Sequence, residues 1–365
     1  MDIKCFRKSI VYAIAVVFCM IFFLFIVGCG GTQTQPQTET QTETQTEMLK
    51  LTLSHFSAAN HHLNTEVCLP FAEEVKEKTE GRVEITVHPS AILVDANDHY
   101  DAAVTGVVDI AEFIPGYTRG RFPAISVLDL PFVPPIFSSS AHAAKSVAEL
   151  FKTEPVIQDE LGELKDVKIL FFGTAGLGQI LLNKPFSSIE SLQGLKLRSP
   201  GPTQDEVIKA FGAIPVTLPM TDLYDALERG VVDGALTDYS PIPAYHLHEV
   251  ITGVVECNIY AMPIIFAMNL DKWEQISSAD QEVILELGEK YGVKLGEEYD
   301  KASLAGKENV QAQGLDIYYP TEEALLEMKN EQQHVIDKWI QEMEQKGIPG
   351  EDIYNKIIDI ADKCK

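Results

Sequence analysis

The chain has 365 residues, 45% hydrophobic and 8% aromatic, enough apolar material for a sizeable core and for two or three domain-sized units. Its formal net charge of -25 argues against binding nucleic acid or an anionic membrane surface, both of which need a basic footprint. The same charge repels anions, so an anionic ligand requires a local cation strong enough to outweigh the global field.

Lys4, Arg7 and Lys8 precede an apolar run from Ile10 to Val27, which stops at Gly28-Cys29-Gly30-Gly31. A basic start, an apolar stretch and a small residue before a cysteine read as a lipoprotein signal over residues 1–28, with Cys29 as the lipidated residue. Ile26 and Val27 stand where leucine and a small residue are usual, and an uncleaved membrane anchor is the alternative, for which the run is just long enough. Either way the rest of the chain is expected in the periplasm or at the outer cell surface, tethered to the membrane. Residues 29–48 form a linker whose Thr-Gln and Thr-Glu repeat, Thr32 to Glu47, holds no apolar residue except Pro36 and is expected to be a disordered spacer. Beyond it, Cys68, Cys257 and Cys364 are odd in number and lack Cys-x-x-Cys spacing, so neither a zinc site nor a disulfide framework is indicated.

From Leu49 onward strand-like and helix-like patterns alternate, the signature of an α/β protein. Leu49 to Leu53 alternates like a strand. Leu63, Val67, Phe71 and Val75 form a helical stripe closed by Gly81, and Val83, Ile85 and Val87 give a second strand. A helix through Tyr100 to Thr105 leads into a strand over Val107 to Phe113. The sequence Gly106-Val107-Val108-Asp109-Ile110-Ala111 recurs as Gly230-Val231-Val232-Asp233-Gly234-Ala235, each copy after a helix-like segment and before a buried-strand pattern. In the second copy Thr221 is the expected N-cap and Gly230 closes the helix. Two similar lobes in one chain predict a cleft between them. Helical spacing from Ala279 to Asn309 predicts a helix long enough to cross both lobes, followed by helices over Glu322 to Lys346 and Asp352 to Asp362.

The candidate chemistry is sparse. Gly173-Thr174-Ala175-Gly176-Leu177-Gly178 imitates a dinucleotide-binding turn, but Asn183-Lys184-Pro185 interrupts where the helix should open, so these glycines are expected to let backbone pass a ligand or a hinge. His61-His62 and His246-Leu247-His248-Glu249 suggest a metal; residues two apart share a face only on a strand, and Pro241 and Pro243 oppose one, so solvated or capping histidines are expected and no metal is assigned. There is no Gly-x-Ser-x-Gly elbow, His-Glu-x-x-His or P-loop, which weakens any hydrolase reading. Arg198 stands out: it ends the segment Gly194 to Arg198 as a short strand runs into Ser199-Pro200-Gly201. There its planar fork can take a carboxylate through two parallel charge-assisted hydrogen bonds, or pair with a neighbouring acid.

Leu192-Gln193-Gly194-Leu195-Lys196-Leu197-Arg198, then Phe211-Gly212-Ala213-Ile214-Pro215-Val216, Asp222-Leu223-Tyr224-Asp225-Ala226-Leu227 and Gly230 to Gly234, occur in an order and spacing that closely resemble the DctP-type solute-binding proteins of tripartite ATP-independent periplasmic (TRAP) transporters. The resemblance extends to Phe71 to Val75, Thr79 to Val83, Gly116-Tyr117, Phe122-Pro123, Leu130-Pro131-Phe132, Met268-Asn269 and Lys272-Trp273, covering essentially everything from residue 49.

It implies a two-lobed periplasmic-binding-protein-like α/β fold with hinge strands and a long helix spanning both lobes. The lobes are expected over 49–175 plus 263–302 and over 176–262 plus 303–365. It implies no enzyme activity and no cofactor, a small organic acid as ligand, and TRAP membrane permease subunits as partners. Arg198 matches the arginine that grips the ligand carboxylate. The site is expected to be completed by His55, Phe56, Asn60, Tyr117, Phe172, Gly178, Thr237, Asp238 and Tyr239. Relatives that bind sialic acid carry a second arginine where this chain has Gly178, and an asparagine where it has Thr237. The lost cation points to a monocarboxylate, with Tyr117, Phe172 and Tyr239 as an aromatic wall. A ligand sensor that signals to a membrane receptor is the alternative the sequence leaves open.

Overall fold

Two β-sheets organise the chain, a computed structural model describing residues 48–132 and 136–365. The signal segment, Cys29 and the Thr-Gln repeat lie outside the described residues. The strands are β1 (Leu49–Ser54), β2 (Val83–His88), β3 (Ile110–Phe113), β4 (Val167–Thr174), β5 (Gln179–Leu182), β6 (Lys196–Ser199), β7 (Ile214–Thr217), β8 (Gly234–Thr237), β9 (Gly253–Val255), β10 (Pro263–Asn269) and β11 (Asp316–Tyr318). The first sheet runs β2-β1-β3-β10-β4 and the second β11-β9-β5-β8-β6-β7.

The internal sequence repeat is a repeat of architecture. In the first lobe β1 lies parallel between β2 and β3, and β10, arriving from the second lobe, joins antiparallel to β3. In the second lobe β6 lies parallel between β7 and β8, and β5, arriving from the first, joins antiparallel to β8. Gly106 and Gly230 both take left-handed conformations (φ 72 and 66), ending the preceding helices at equivalent points. The strand after Gly106 begins at Ile110, later than its apolar start suggests, and leaves Val107 exposed. Thr221 is not an N-cap: a 3-10 turn, Met220–Asp222, runs straight into the helix Leu223–Glu228 with no side-chain cap.

Burial follows strand position. β10 is central in its sheet, and all seven of its residues are buried. Ile264, Phe266 and Met268 enter one core cluster and Ile265 and Ala267 the other, as strand alternation requires when both faces are covered. The predicted first helix is a π-helical turn, Leu63–Cys68, continued by an α-helix, Leu69–Lys78.

The chain crosses between lobes at residues 175–178 and 256–262, and the two crossings are bonded to each other: the Ala175 amide donates to the Met262 carbonyl, the Gly178 amide to the Tyr260 carbonyl, and the Ile259 amide to the Gly178 carbonyl, each at 2.9 Å. The long helix, Ser278–Ala312, spans both lobes. Gly288 and Gly292 lie on the Leu170 and Phe172 carbonyls of β4, and Gly306 lies on the Tyr239 carbonyl of the second lobe. The helix Glu322–Gln345 packs on Pro202–Ala210 of the second lobe. The terminal helix, Gly350–Lys363, packs on the first lobe, as Trp339 and Met343 near the end of the preceding helix already do: Ile353, Ile357 and Ile360 enter the first-lobe cluster with Leu128, Val147 and Leu150. The stretch 303–365 is therefore not wholly second-lobe, because this amphipathic helix finds its apolar partner on the first. Cys68, Cys257 and Cys364 are free, and no helix among the described residues is long and apolar enough to cross a membrane.

A Cβ added at Gly292 would stand 2.5 Å from the Phe172 carbonyl oxygen. Gly292→Val is expected to lower stability by about 1–3 kcal/mol through overpacking, more than the few tenths that valine returns in helix propensity over glycine. An unchanged urea midpoint would show that the long helix can lift off β4 freely.

Candidate ligand-binding site

Arg198 sits on β6, between β7 and β8, and is fully buried. Three bonds fix its fork: Nε donates to the Leu218 carbonyl (2.9 Å), Nη1 to the Leu236 carbonyl (3.1 Å) and Nη2 to the Tyr117 hydroxyl (3.2 Å). The first two hold it within the second lobe; the third reaches the first. The Tyr117 hydroxyl also accepts from the Met220 amide at 3.2 Å. None of the described carboxylates forms an ion pair with Arg198 within 4.0 Å. Asp238 feels its charge, yet burial dominates there and raises the Asp238 carboxyl above its ordinary value.

Further contacts close the lobes on one another. The Ala58 amide donates to the Tyr245 hydroxyl (3.3 Å), and Arg119 Nη2 bonds Asp205 Oδ2 and Thr217 Oγ1, each at 2.7 Å. Gly116 and Gly201 meet so closely that a Cβ on Gly201 would stand 2.9 Å from the Gly116 carbonyl oxygen.

Between these contacts lies a cavity of ≈ 30 Å³ walled by Phe56, His61, Tyr117, Thr237, Tyr245 and Tyr299, among others. That is room for roughly one or two waters, so the lobes must part before any organic acid enters. Its first-lobe wall rests on the ends of parallel strands β1 and β3. His55, just after β1, is buried, with Nε2 bonded to Asn64 Oδ1 (3.0 Å) and Nδ1 without a partner; burial pushes its pKa down to about 4. On β3, Glu112 accepts the Phe56 amide at Oε2 (3.3 Å), leaves Oε1 without a partner, and is pushed by burial up to about 8. His61 caps its turn by accepting the Leu63 amide at Nδ1 (3.2 Å), and burial drives its pKa well down.

The structure gathers Phe56, Tyr117, Thr237 and Asp238 on the cavity, with Arg198 behind Tyr117 and His55 behind Phe56. It does not bring Asn60, Phe172 or Tyr239 there. Asn60 is exposed, and Asn64, one helical turn on, is the amide that meets His55. Phe172 points into the first-lobe core, its ring 4.5 Å from that of Phe151. Tyr239 turns under the long helix and donates to Glu256 Oε2 (3.1 Å). The aromatic wall is therefore Phe56, Tyr117, Tyr245 and Tyr299. Gly178 is where it is for a steric reason: a Cβ there would stand 2.3 Å from the Tyr260 ring, which fills the space a side chain would need.

Residues 53–342 match the family model of DctP, bacterial extracellular solute-binding protein, family 7. The chain belongs to this family. A TRAP solute-binding protein from Rhodoferax ferrireducens T118, solved with copurified benzoate, is 26% identical and superposes with a TM-score of 0.81 over 87% of this chain and 98% of its own. A marine metagenome TRAP solute-binding protein specific for aromatic acid ligands, solved with 3-hydroxybenzoate, is also 26% identical with a TM-score of 0.81, over 87% of this chain and 99% of its own. A solute-binding protein of Chromohalobacter salexigens is 26% identical over 277 residues, 74% of this chain and 79% of that protein. This DctP-family chain is a two-lobed extracytoplasmic solute-binding protein of the TRAP type and not an enzyme.

Glu112 yields a pH test. Its folded pKa of about 8 lies above its ordinary 4.5, so the neutral carboxyl's contribution is complete below the ordinary value and is lost as pH rises through the folded one. Glu112→Gln keeps an acceptor for the Phe56 amide but cannot ionise. Its Tm relative to the unsubstituted protein is expected to rise steadily from pH 5 to pH 8. The opposing titration of His55 is common to both proteins and cancels; a Tm difference independent of pH contradicts the assignment.

Proposed function

We propose that this protein captures a small monocarboxylate, of the aromatic-acid kind, through an ion pair between the ligand carboxylate and Arg198, and passes it to the membrane permease subunits of a TRAP transporter. One observation carries the reading: a fully buried guanidinium at the meeting of the lobes, tied to carbonyls and one tyrosine but to no acid among the described residues. A buried cation without a counter-charge is costly, and an arriving carboxylate removes that cost. Two charge-assisted hydrogen bonds at about 1.5–3 kcal/mol each supply a large share of the roughly 8 kcal/mol that micromolar affinity needs.

The choice of a single carboxylate rests on the surroundings. The place where a second arginine would stand is Gly178 under the Tyr260 ring, and Phe56, Tyr117, Tyr245 and Tyr299 offer aromatic faces instead of a second cation. The benzoate and 3-hydroxybenzoate held by the two solved relatives have this shape. Ligand binding would select the closed arrangement, with the paired crossings at 175–178 and 256–262 bending and the long helix flexing.

Calorimetry against benzoate, hydroxybenzoates, mandelate, succinate and malate is the direct test. Monocarboxylates are expected to bind, and Arg198→Lys, which keeps the charge but loses the fork, to weaken them about tenfold or more while circular dichroism stays unchanged. Binding of succinate or malate with monocarboxylates inert, or an unaffected Arg198→Lys, would overturn the reading. We also assign the membrane tether to lipidated Cys29: Cys29→Ser is expected to shift the protein from the membrane fraction to the soluble one, and unaltered fractionation would leave an uncleaved anchor as the tether.

A further inference from the structure

One cluster of ligating side chains plays no part in the cleft. After β8 the chain forms a short helical turn, Pro241–Ala244, then His246 adopts a left-handed backbone (φ 54), and Leu247–Glu249 closes a 3-10 turn. Residues 246 and 248 would share a face only on a strand, which Pro241 and Pro243 oppose, and this is why solvated or capping histidines are expected from the sequence. The left-handed residue folds the chain back instead, and His246, His248 and Glu249 each bring one ligating atom within 4.8 Å of the other two.

Three features make this more than a crowded surface. His246 Nδ1 and Glu249 Oε1 are 3.7 Å apart, near the roughly 3.4 Å between donors on a tetrahedral zinc ion with bonds of about 2.1 Å. The other carboxylate oxygen, Glu249 Oε2, accepts from the Tyr224 hydroxyl at 3.0 Å, an outer contact of the kind that aims a metal-ligating carboxylate. Nδ1 of His248 is buried and no described group satisfies it, while Leu247, between the two histidines, is fully buried and anchors the turn in the second-lobe core. Two imidazoles and a carboxylate are the donor set of borderline divalent ions, not of calcium or magnesium, which prefer all-oxygen shells. The net charge of -25 enriches cations near the surface.

We propose that His246, His248 and Glu249 form a binding site for a zinc-type divalent cation, separate from the acid cleft, with water completing the coordination. The exposed His246 and Glu249 leave the site open to solvent.

The test is calorimetric titration of Zn²⁺ into the purified, untagged protein with no organic acid present, so that it succeeds or fails independently of the cleft. The unsubstituted chain is expected to take up one ion that the double variant His246→Ala/His248→Ala does not. Tyr224→Phe, which removes only the outer contact, is expected to weaken uptake about tenfold. Glu249→Gln serves as a second variant should the double one unfold, and is likewise expected to lose the ion. No uptake by the unsubstituted chain, or equal uptake by a folded variant lacking these donors, overturns the site.

Discussion

The closed arrangement depends on a guanidinium that has been taken out of water without a counter-charge. Arg198 is held by two carbonyls of its own lobe and one hydroxyl of the other. Neutral acceptors replace part of the lost hydration but none of the lost charge balance, so the closed form carries an electrostatic debt that only an anion can discharge. The Tyr117 bond therefore has two aspects. It satisfies one donor of the fork, and it ties the lobes together through a single hydrogen bond from a charged donor, of about 1.5–3 kcal/mol. Opening gives up this bond together with the Ala58–Tyr245 and Arg119–Asp205 contacts, which the two bonds of the proposed carboxylate pair would offset only in part.

The rest of the fold serves to make that closing reproducible. The two crossings are bonded to each other at Ala175–Met262 and Gly178–Tyr260, so they bend as a pair and not as two loose strings. The long helix lies against β4 through Gly288 and Gly292 and against the second lobe through Gly306. Such close backbone contact leaves sliding or flexing, not detachment, as the available motion. Where the lobes meet, Gly201 allows a contact with Gly116 that a Cβ on Gly201 would crowd, and Arg119 with Asp205 and Thr217 registers the two surfaces.

Much of this was legible in the residues because it rests on local rules. Period-2 and period-3.6 patterns set the strands and helices, and Gly106 and Gly230 mark equivalent ends in the two lobes because both need positive φ. Arg198 was visible as the cation at a strand end. What was not legible depends on which way a side chain turns once a strand has ended. Phe172 is a strand residue with core on both sides of its strand: Phe171 stacks on Phe266 on one face, and Phe172 packs against Phe151 on the other. Tyr239 and Asp238 are adjacent, yet only Asp238 lines the cavity. Tyr245 and Tyr299 were missed because they come from a turn and from the middle of a long helix, and only tertiary packing brings them to the site. Glu112 was missed because an acid inside a strand reads as an irregularity; its position opposite the apolar β10 was the signal that it is buried. His61 caps its turn, one of the two roles expected of these histidines, whereas the left-handed backbone at His246, which gathers the 246–249 turn, has no signal in the residues themselves.

The net charge of -25 and an anionic ligand are reconciled by distance and dielectric. At physiological ionic strength, charges beyond about 8 Å in solvent are largely screened, so most of the acidic surface is invisible to an ion inside the cleft. Burial works against charge on the acids that are near: it raises Glu112 to about 8 and Asp129 to about 7, and Asp238 also moves up. Burial thus favours the neutral form of these carboxyls but cannot neutralise a guanidinium, so the charge balance near Arg198 is less negative than that of the whole molecule.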